Sequence, residues 1–361
     1  MKLAWFSVLS LAGFTVAQAQ ELPSIASNFD INAWQVNAEV PPSAAPDVVG
    51  AFRFICSPSH NLRDDPIVYP GLPGKAHMHT FFGNTMASAS STYESLRQSG
   101  ESSCQGGPLN RSAYWMPAMT NGAGNIVMPD YIAIYYKGAP KGASRAPPRG
   151  LRFIFGFDAS RPTGLLGTNR DGWPEKPKWR CLDSQTKTDT IPQNCAAGHI
   201  YVQLTSPECW DGKNLDSANH RSHMAYKKYN NSGQALCPRT HPVIITQFTL
   251  TAVFTQAANG EANDWFLPSD RMPGMATFPA GSSFHTDWFG AWDDEILNEW
   301  NDNCIAKMLS CSAFNLGNGK QGKVPVQFRW AADPRLIAPP QDTTPASAPA
   351  VPLHDHEARH H

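Results

Sequence analysis

The sequence predicts a mainly β fold, an antiparallel β-sandwich or jelly-roll-like single domain with long loops, disulfides and one packing helix near the C-terminus. Three observations carry this. The 361 residues include 31 Pro and 27 Gly, which punctuate the chain too often for long helices. Between them lie short β-prone runs, several with alternating apolar and polar positions. Eight cysteines, an even number, suit a chain stapled by disulfides.

The expected strands, in order, are Ala51–Ile55, His77–Phe82, Tyr131–Tyr136, Leu151–Phe157, His199–Thr205, Val243–Phe254 and Val324–Trp330. In the sixth, Ile244, Thr246, Phe248 and Leu250 form the more apolar face against Ile245, Gln247, Thr249 and Thr251, as in a half-buried antiparallel strand. Leu151–Phe155 is interrupted only by Arg152 and reads as more deeply buried. From Asp293 to Leu309, Ile296, Leu297, Trp300, Ile305, Met308 and Leu309 recur at helical spacing, with Asp293 or Asp294 available as N-cap. Pairing of neighbours along the chain, Cys56–Cys104, Cys181–Cys195, Cys209–Cys237 and Cys304–Cys311, pins irregular segments with the shortest loops, each contributing roughly 2–4 kcal/mol. No C-x-x-C pair is present, which disfavours a zinc ribbon or a thioredoxin-like redox site.

The ends differ from this middle. Residues 1–19 read as a signal peptide: Lys2 opens a short apolar run that closes on Ala17-Gln18-Ala19, with cleavage expected after Ala19. That places the protein outside the cell or in the periplasm. Residues 20–41 form a lead-in, 42–337 one catalytic or binding β domain, and 338–361 a disordered Ala/Pro-rich tail ending in His354, His356, His360 and His361. A floppy tail can scavenge metal but cannot hold a catalytic geometry. No later window is apolar enough to span a bilayer. With 29 Lys+Arg against 30 Asp+Glu there is no basic excess for nucleic acid. We expect a monomer.

Chemistry concentrates in histidine-bearing stretches. His77 and His79 are two apart in a β-like run, so both imidazoles project from one face, the arrangement of half a metal site or of a ligand beside a base. His285 and Asp287 share a face in the same way, inside Phe284-His285-Thr286-Asp287-Trp288. His220-Arg221-Ser222-His223-Met224-Ala225-Tyr226 sets two histidines near a tyrosine. Eight of the 12 histidines lie between His60 and His285, many for a chain in which only 16% of residues are charged, and a shared polar site explains that excess. The same stretches also admit ordinary structural histidines, each bonded to a local carbonyl. The 11 Trp, including Trp115, Trp173, Trp179, Trp210, Trp265, Trp288 and Trp292, often neighbour Gly, Asp or Pro and are candidate platforms for sugar rings. There is no G-x-S-x-G elbow, no H-E-x-x-H and no phosphate-binding G-x-x-x-x-G-K, and Gln20 at the expected N-terminus excludes a histidine-brace copper oxygenase.

The run Asp65-Pro66-Ile67-Val68…Pro70-Gly71 into His77-Met78-His79-Thr80-Phe81-Phe82-Gly83-Asn84 resembles one family of secreted fungal and bacterial proteins, that of domain of unknown function 1996. Tyr114-Trp115-Met116-Pro117, Cys209-Trp210-Asp211-Gly212, Ser222-His223-Met224-Ala225-Tyr226, Cys237-Pro238-Arg239-Thr240-His241-Pro242 and His285-Thr286-Asp287-Trp288 extend the resemblance over roughly residues 51–311. In that family the domain sometimes accompanies carbohydrate-binding modules, which implies a polysaccharide-facing role; here a Pro/Ala tail stands where a module would be.

The expectation is a secreted carbohydrate-active enzyme, a lyase or glycoside hydrolase. His79 or His223 would be base, Tyr226 or Asp287 acid or orienting partner, and Arg221 would neutralise a sugar carboxylate in an elimination. Hydrolysis through two carboxylates would draw on Asp65, Asp211 and Asp287. A variant places one divalent metal ion on His77, His79 and His285, with Asp287 as ligand or as partner to the ligands. The alternative is a non-enzymatic cell-wall or glycan-binding protein with structural histidines.

Overall fold

The computed structural model describes residues 21–43, 45–46, 49–139, 144–158, 176–193, 195–196, 198–229, 235–256, 264–324, 331 and 333–340. The signal segment, most of the tail, Trp173 and nearly all of the expected strand Val324–Trp330 lie outside them.

Two five-stranded antiparallel sheets face each other. Ten strands build them: β1 (Ala51–Cys56), β2 (His60–Leu62), β3 (His79–Gly83), β4 (Ala113–Pro117), β5 (Tyr131–Lys137), β6 (Arg152–Gly156), β7 (Lys178–Cys181), β8 (His199–Thr205), β9 (Gln247–Thr255) and β10 (His285–Phe289). One sheet runs β1-β5-β9-β8-β7, the other β2-β3-β4-β10-β6. Period-2 alternation decides which residues meet between them. Phe248 of β9 packs against Tyr114, Phe155 and Trp288 of the second sheet at ring separations of 6.1, 5.4 and 5.6 Å. Phe52, Phe54 and Tyr136 extend this core to Trp292 and Trp300.

The expected long strand Val243–Phe254 is two strands. Val243–Ile244 pairs with Cys209–Trp210, whereas Gln247–Thr255 pairs with β5 and β8. The chain changes partner at Ile245–Thr246, where the Thr246 N–H donates to Arg145 O instead of to a neighbouring strand. The C-terminal helix forms as α2 (Asp294–Trp300), with Asp293 accepting from the N–H groups of Glu295 and Ile296, and continues as one π turn through Ile305.

The second sheet is covered on its outer face too. Phe81, Ala113, Trp115, Ile154 and Phe289 point outward and are buried under Ile67 and, from helix α1 (Tyr93–Gln98), Tyr93 and Leu96. The loop between β2 and β3 thereby lies over the strands that carry the histidines.

All four disulfides join neighbours along the chain, with sequence separations of 48, 14, 28 and 7 residues. Loop-closure entropy grows with the logarithm of the loop, giving about 4 kcal/mol for the longest and about 2 kcal/mol for the shortest. In denaturant unfolding, the double variant Cys56→Ser/Cys104→Ser should therefore lose about twice the stability lost by Cys304→Ser/Cys311→Ser. Equal losses would remove the entropic account.

Candidate metal centre

The outer face of the second sheet carries a convergent set of donors. His79 opens β3 and pairs in register with Pro117 of β4; His285 opens β10 and pairs with Gly156 of β6. Asp287, two residues on from His285, lies between Trp115 and Ile154. His79 and His285 stand two strands apart, a gap of nearly 10 Å at the backbone, yet their rings lean together over the short Pro117 side and their centroids are 6.1 Å apart. His77 completes the group, 4.2 Å from the His79 ring and 5.3 Å from that of His285. Ligand atoms of His77, His79 and His285 lie within 4.8 Å of one another, and so do those of Asp65, His79 and Asp287. Gly156 is required where it stands: its φ is +92°, and a Cβ would come within 2.8 Å of Phe284 O and 3.0 Å of the His285 Cα.

Backbone carbonyls orient the rings. His79 Nδ1–H donates to Asp64 O at 2.9 Å, and His285 Nδ1–H donates to Ser283 O at 3.0 Å. Each bond fixes the tautomer and leaves Nε2 unprotonated. The carbonyls are held in turn. Asp64 accepts from the N–H groups of Gly74 and Ala89, and Asp65 from those of Ile67 and Val68, which shapes the covering loop. Asp270 accepts from the N–H groups of Leu267, Gly281 and Ser283 and from the Ser283 hydroxyl.

The donors have no partners of their own. His77 Nε2, His79 Nε2 and both carboxylate oxygens of Asp287 are buried without a hydrogen bond. Asp287 Oδ2 is 3.9 Å from His285 Nε2, beyond hydrogen-bond distance. Burial, then the neighbouring His285, pushes His79 down to about 3; burial, then His77, does the same to His285. His77 is held well below the usual imidazole value by burial and by His79. Asp287 is driven well above the usual carboxylate value by burial and by Asp65. Burial also raises Asp65, against the Val68 and Ile67 N–H groups; the Trp115 indole N–H lies beside it without reaching hydrogen-bond geometry. Three neutral imidazoles around the unpartnered buried carboxyl of Asp287 cost several kcal/mol unless a cation joins them. The donor set suits a divalent ion: neutral imidazole nitrogen and carboxylate oxygen are its ligand types, and His77, His79, His285 and Asp287 would hold it.

The sequence-derived candidates divide. His77, His79, His285, Asp287 and Asp65 come together. His223 does not join them: Nε2–H donates to Arg152 O and Nδ1 meets the Ser217 hydroxyl, both at 2.9 Å. Arg152 is four residues along β6 from the residue opposite His285, about 13 Å away. Arg221 donates to Ile154 O, Gly156 O and Phe157 O. The reason is common to both: β6 is an edge strand, its outward carbonyls need donors, and the segment 215–223 supplies them. The Arg221 charge nonetheless reaches His285 and Asp287. Tyr226 donates its hydroxyl to Thr205 O at 2.8 Å. Asp211 shapes its own turn, accepting from Lys213 and Asn214. His220 bonds Asp216, His199 meets Thr255, and His241 bonds Ser222 O. Trp115, Trp179, Trp210, Trp265, Trp288 and Trp292 are all buried, so none of these presents a stacking face: their large apolar surface goes into the core. Asp64, Ser283 and Asp270 were not among the sequence-derived candidates. Asp64 has a local signal, an acid opening the Asp-Asp-Pro turn; Ser283 and Asp270 have none, since their role exists only once the strands pair.

The model of a domain of unknown function, DUF1996, matches residues 65–292. The chain belongs to that family. No curated protein and no solved structure matches the chain. The matched span of the family contains Asp65, His77, His79, His285 and Asp287, the whole donor set.

With the four tail histidines replaced by alanine, His79→Ala and Asp287→Asn should each lower zinc affinity at least 100-fold in a competition titration. Asp270→Asn, acting through Ser283, should lower it roughly 10-fold. His223→Ala should leave affinity unchanged and lower unfolding stability by roughly 2–3 kcal/mol through its lost buried bonds. The reverse pattern would dismiss this assignment of ligands.

Proposed function

We propose that this chain is an exported, metal-dependent carbohydrate-active enzyme that cleaves a polysaccharide, with its centre on His77, His79, His285 and Asp287. The observation that carries the reading is the convergence of unpartnered, buried donor atoms whose tautomers are already set for a ligand. Four disulfides fit an oxidising compartment, and no helix among the described residues is long and apolar enough to cross a membrane.

A divalent ion bound here supplies Lewis-acid polarisation and a water of lowered pKa. The protein's own groups do the rest. The carbonyls of Asp64 and Ser283 keep the imidazoles in one tautomer. Asp65, anchored through one oxygen by two backbone N–H groups, stands within 4.8 Å of His79 and Asp287 as the group able to take a proton. Hydrolysis is favoured over elimination, because the Arg221 guanidinium is already spread over three backbone carbonyls instead of being offered to a sugar carboxylate.

One observation favours a second reading, a purely structural metal: His79 and Asp287 are fully buried. Against it, His77 and His285 are each only part-buried, and catalytic metal sites keep one open position. The glycan-binding alternative loses much of its support with the burial of the six candidate tryptophans among the described residues.

The test is a panel of neutral and uronic polysaccharides with the tail-histidine variant, purified without chelator. We expect about one metal per chain, new reducing ends, loss of activity with chelator and its return with metal, and at least a 100-fold fall in His79→Ala. Stoichiometric metal with no cleavage, and a chelator effect confined to the melting temperature, would leave the structural metal. Absence of metal would end both readings.

A further inference from the structure

Beside the donor cluster, at the edge of β6, lies a pocket of about 140 Å³. A closed cavity of about 150 Å³ holds benzene; this pocket is open on one side, so it receives the body of one six-membered ring while substituents at the ring's rim extend out of it. Its wall toward the cluster is Ile154, which pairs in register with Asp287, so the pocket begins about one strand spacing from that carboxylate. Arg221 lines it as well, and the same guanidinium donates to the carbonyl of Gly156, the residue opposite His285. The pocket and the cluster are thus adjoining parts of one surface, joined through β6.

The lining selects a ligand class. Polar groups come from Asp158, Asn219, Arg221, Ser222 and Tyr226, and the apolar remainder includes Ile154. Such a mixture suits a ring with hydroxyls at its rim and C–H faces. One guanidinium and one carboxyl give no net formal charge, and the guanidinium is bonded to Ile154 O, Gly156 O and Phe157 O. A uronate would enter without a cation presented to it, at the cost of burying its charge. We propose that this pocket is the subsite for one neutral sugar ring of the polymer, seating it next to the bond that meets the metal centre. This assignment rests on the proposed function and adds to it the position and charge class of the bound residue.

The experiment uses the mature full-length protein and soluble hexasaccharides of glucose, mannose, xylose, galactose, N-acetylglucosamine and galacturonate, with binding followed by calorimetry and metal content measured on the same samples. At least one neutral hexasaccharide should bind saturably. Ala225→Trp, which fills the pocket from Met224–Ala225, should weaken that binding at least 10-fold with metal content unchanged. Ser222→Trp, at an exposed position of the same lining, provides the second variant should the first not fold, with the same expected loss. Binding of galacturonate alone, no binding of any neutral hexasaccharide, or wild-type affinity in the folded Trp variants would overturn the proposal. The two assignments fail separately. Metal-dependent cleavage unaffected by either Trp substitution removes the subsite and keeps the enzyme, while pocket-dependent binding in a protein without metal removes the metal centre and keeps the subsite.

Discussion

Two backbone hydrogen bonds decide the character of this site. A histidine in a protein interior is free to present either nitrogen, and its usual fate is to bond both. Here Asp64 O and Ser283 O each take the Nδ1–H of one ring; the ligand atoms of the two rings lie within 4.8 Å of each other and of His77, and among the described residues His79 Nε2 has no hydrogen-bond partner. Neither carbonyl is a side chain, so neither can be replaced by a point substitution. What can be changed is their support, the Asp64 loop and the Asp270 turn, and both are locked by several backbone N–H groups. That degree of bracing exceeds what two incidental imidazoles need.

The sheet contributes the other half. Antiparallel pairing lines up residues from strands far apart in sequence, and the pleat sends every second one outward. On the outer face of the second sheet the row Phe81, Trp115, Asp287, Ile154 runs beside the row His79, Pro117, with Gly156 and His285 facing each other at its far end. The first row is apolar apart from Asp287 and is covered by Ile67, which excludes water from one side of the carboxylate. The second row is low in the middle, and the imidazoles meet there. A bulkier residue at 117 would occupy the space into which the rings lean, and a side chain at 156 would collide with the backbone at Phe284 and His285.

Period-2 logic made part of this legible from sequence. His77 with His79, and His285 with Asp287, are same-face pairs in extended chain, and the apolar face of Phe248 and Leu250 is the face that builds the core. The helix cap at Asp293 and the pairing of the cysteines follow from equally local rules. The rest depends on tertiary contacts. His223 and Arg221 look identical, in sequence, to catalytic residues; only the position of β6 at a sheet edge turns them into donors for stranded carbonyls. The tryptophans mislead for a related reason. Polar or turn-forming neighbours mark where a strand ends, not which way the ring points, and in a chain this rich in short strands most rings near turns still face inward. The strand break at Ile245–Thr246 was likewise hidden, because both halves are β-prone and only their partners differ.

Charge balance links the centre to its surroundings. Asp65 and Asp287 are both buried and both held above the usual carboxylate value, each raised mainly by its removal from water, and Asp287 further by Asp65. Without a cation the pair favours taking up protons. One divalent ion offsets two carboxylates and leaves the imidazoles neutral, the form in which ligation occurs. Arg221 is not the missing charge. It lowers the Asp287 value but spends its donors on carbonyls of β6, and its effect on His285 is to favour the neutral ring further. Burial and His77 do most to keep imidazolium from forming at His285; Arg221 adds the least of these effects, while its own guanidinium stays tied to the edge strand. The edge cap and the donor cluster are therefore coupled: the segment that satisfies the β6 backbone also helps to set the protonation state of the centre.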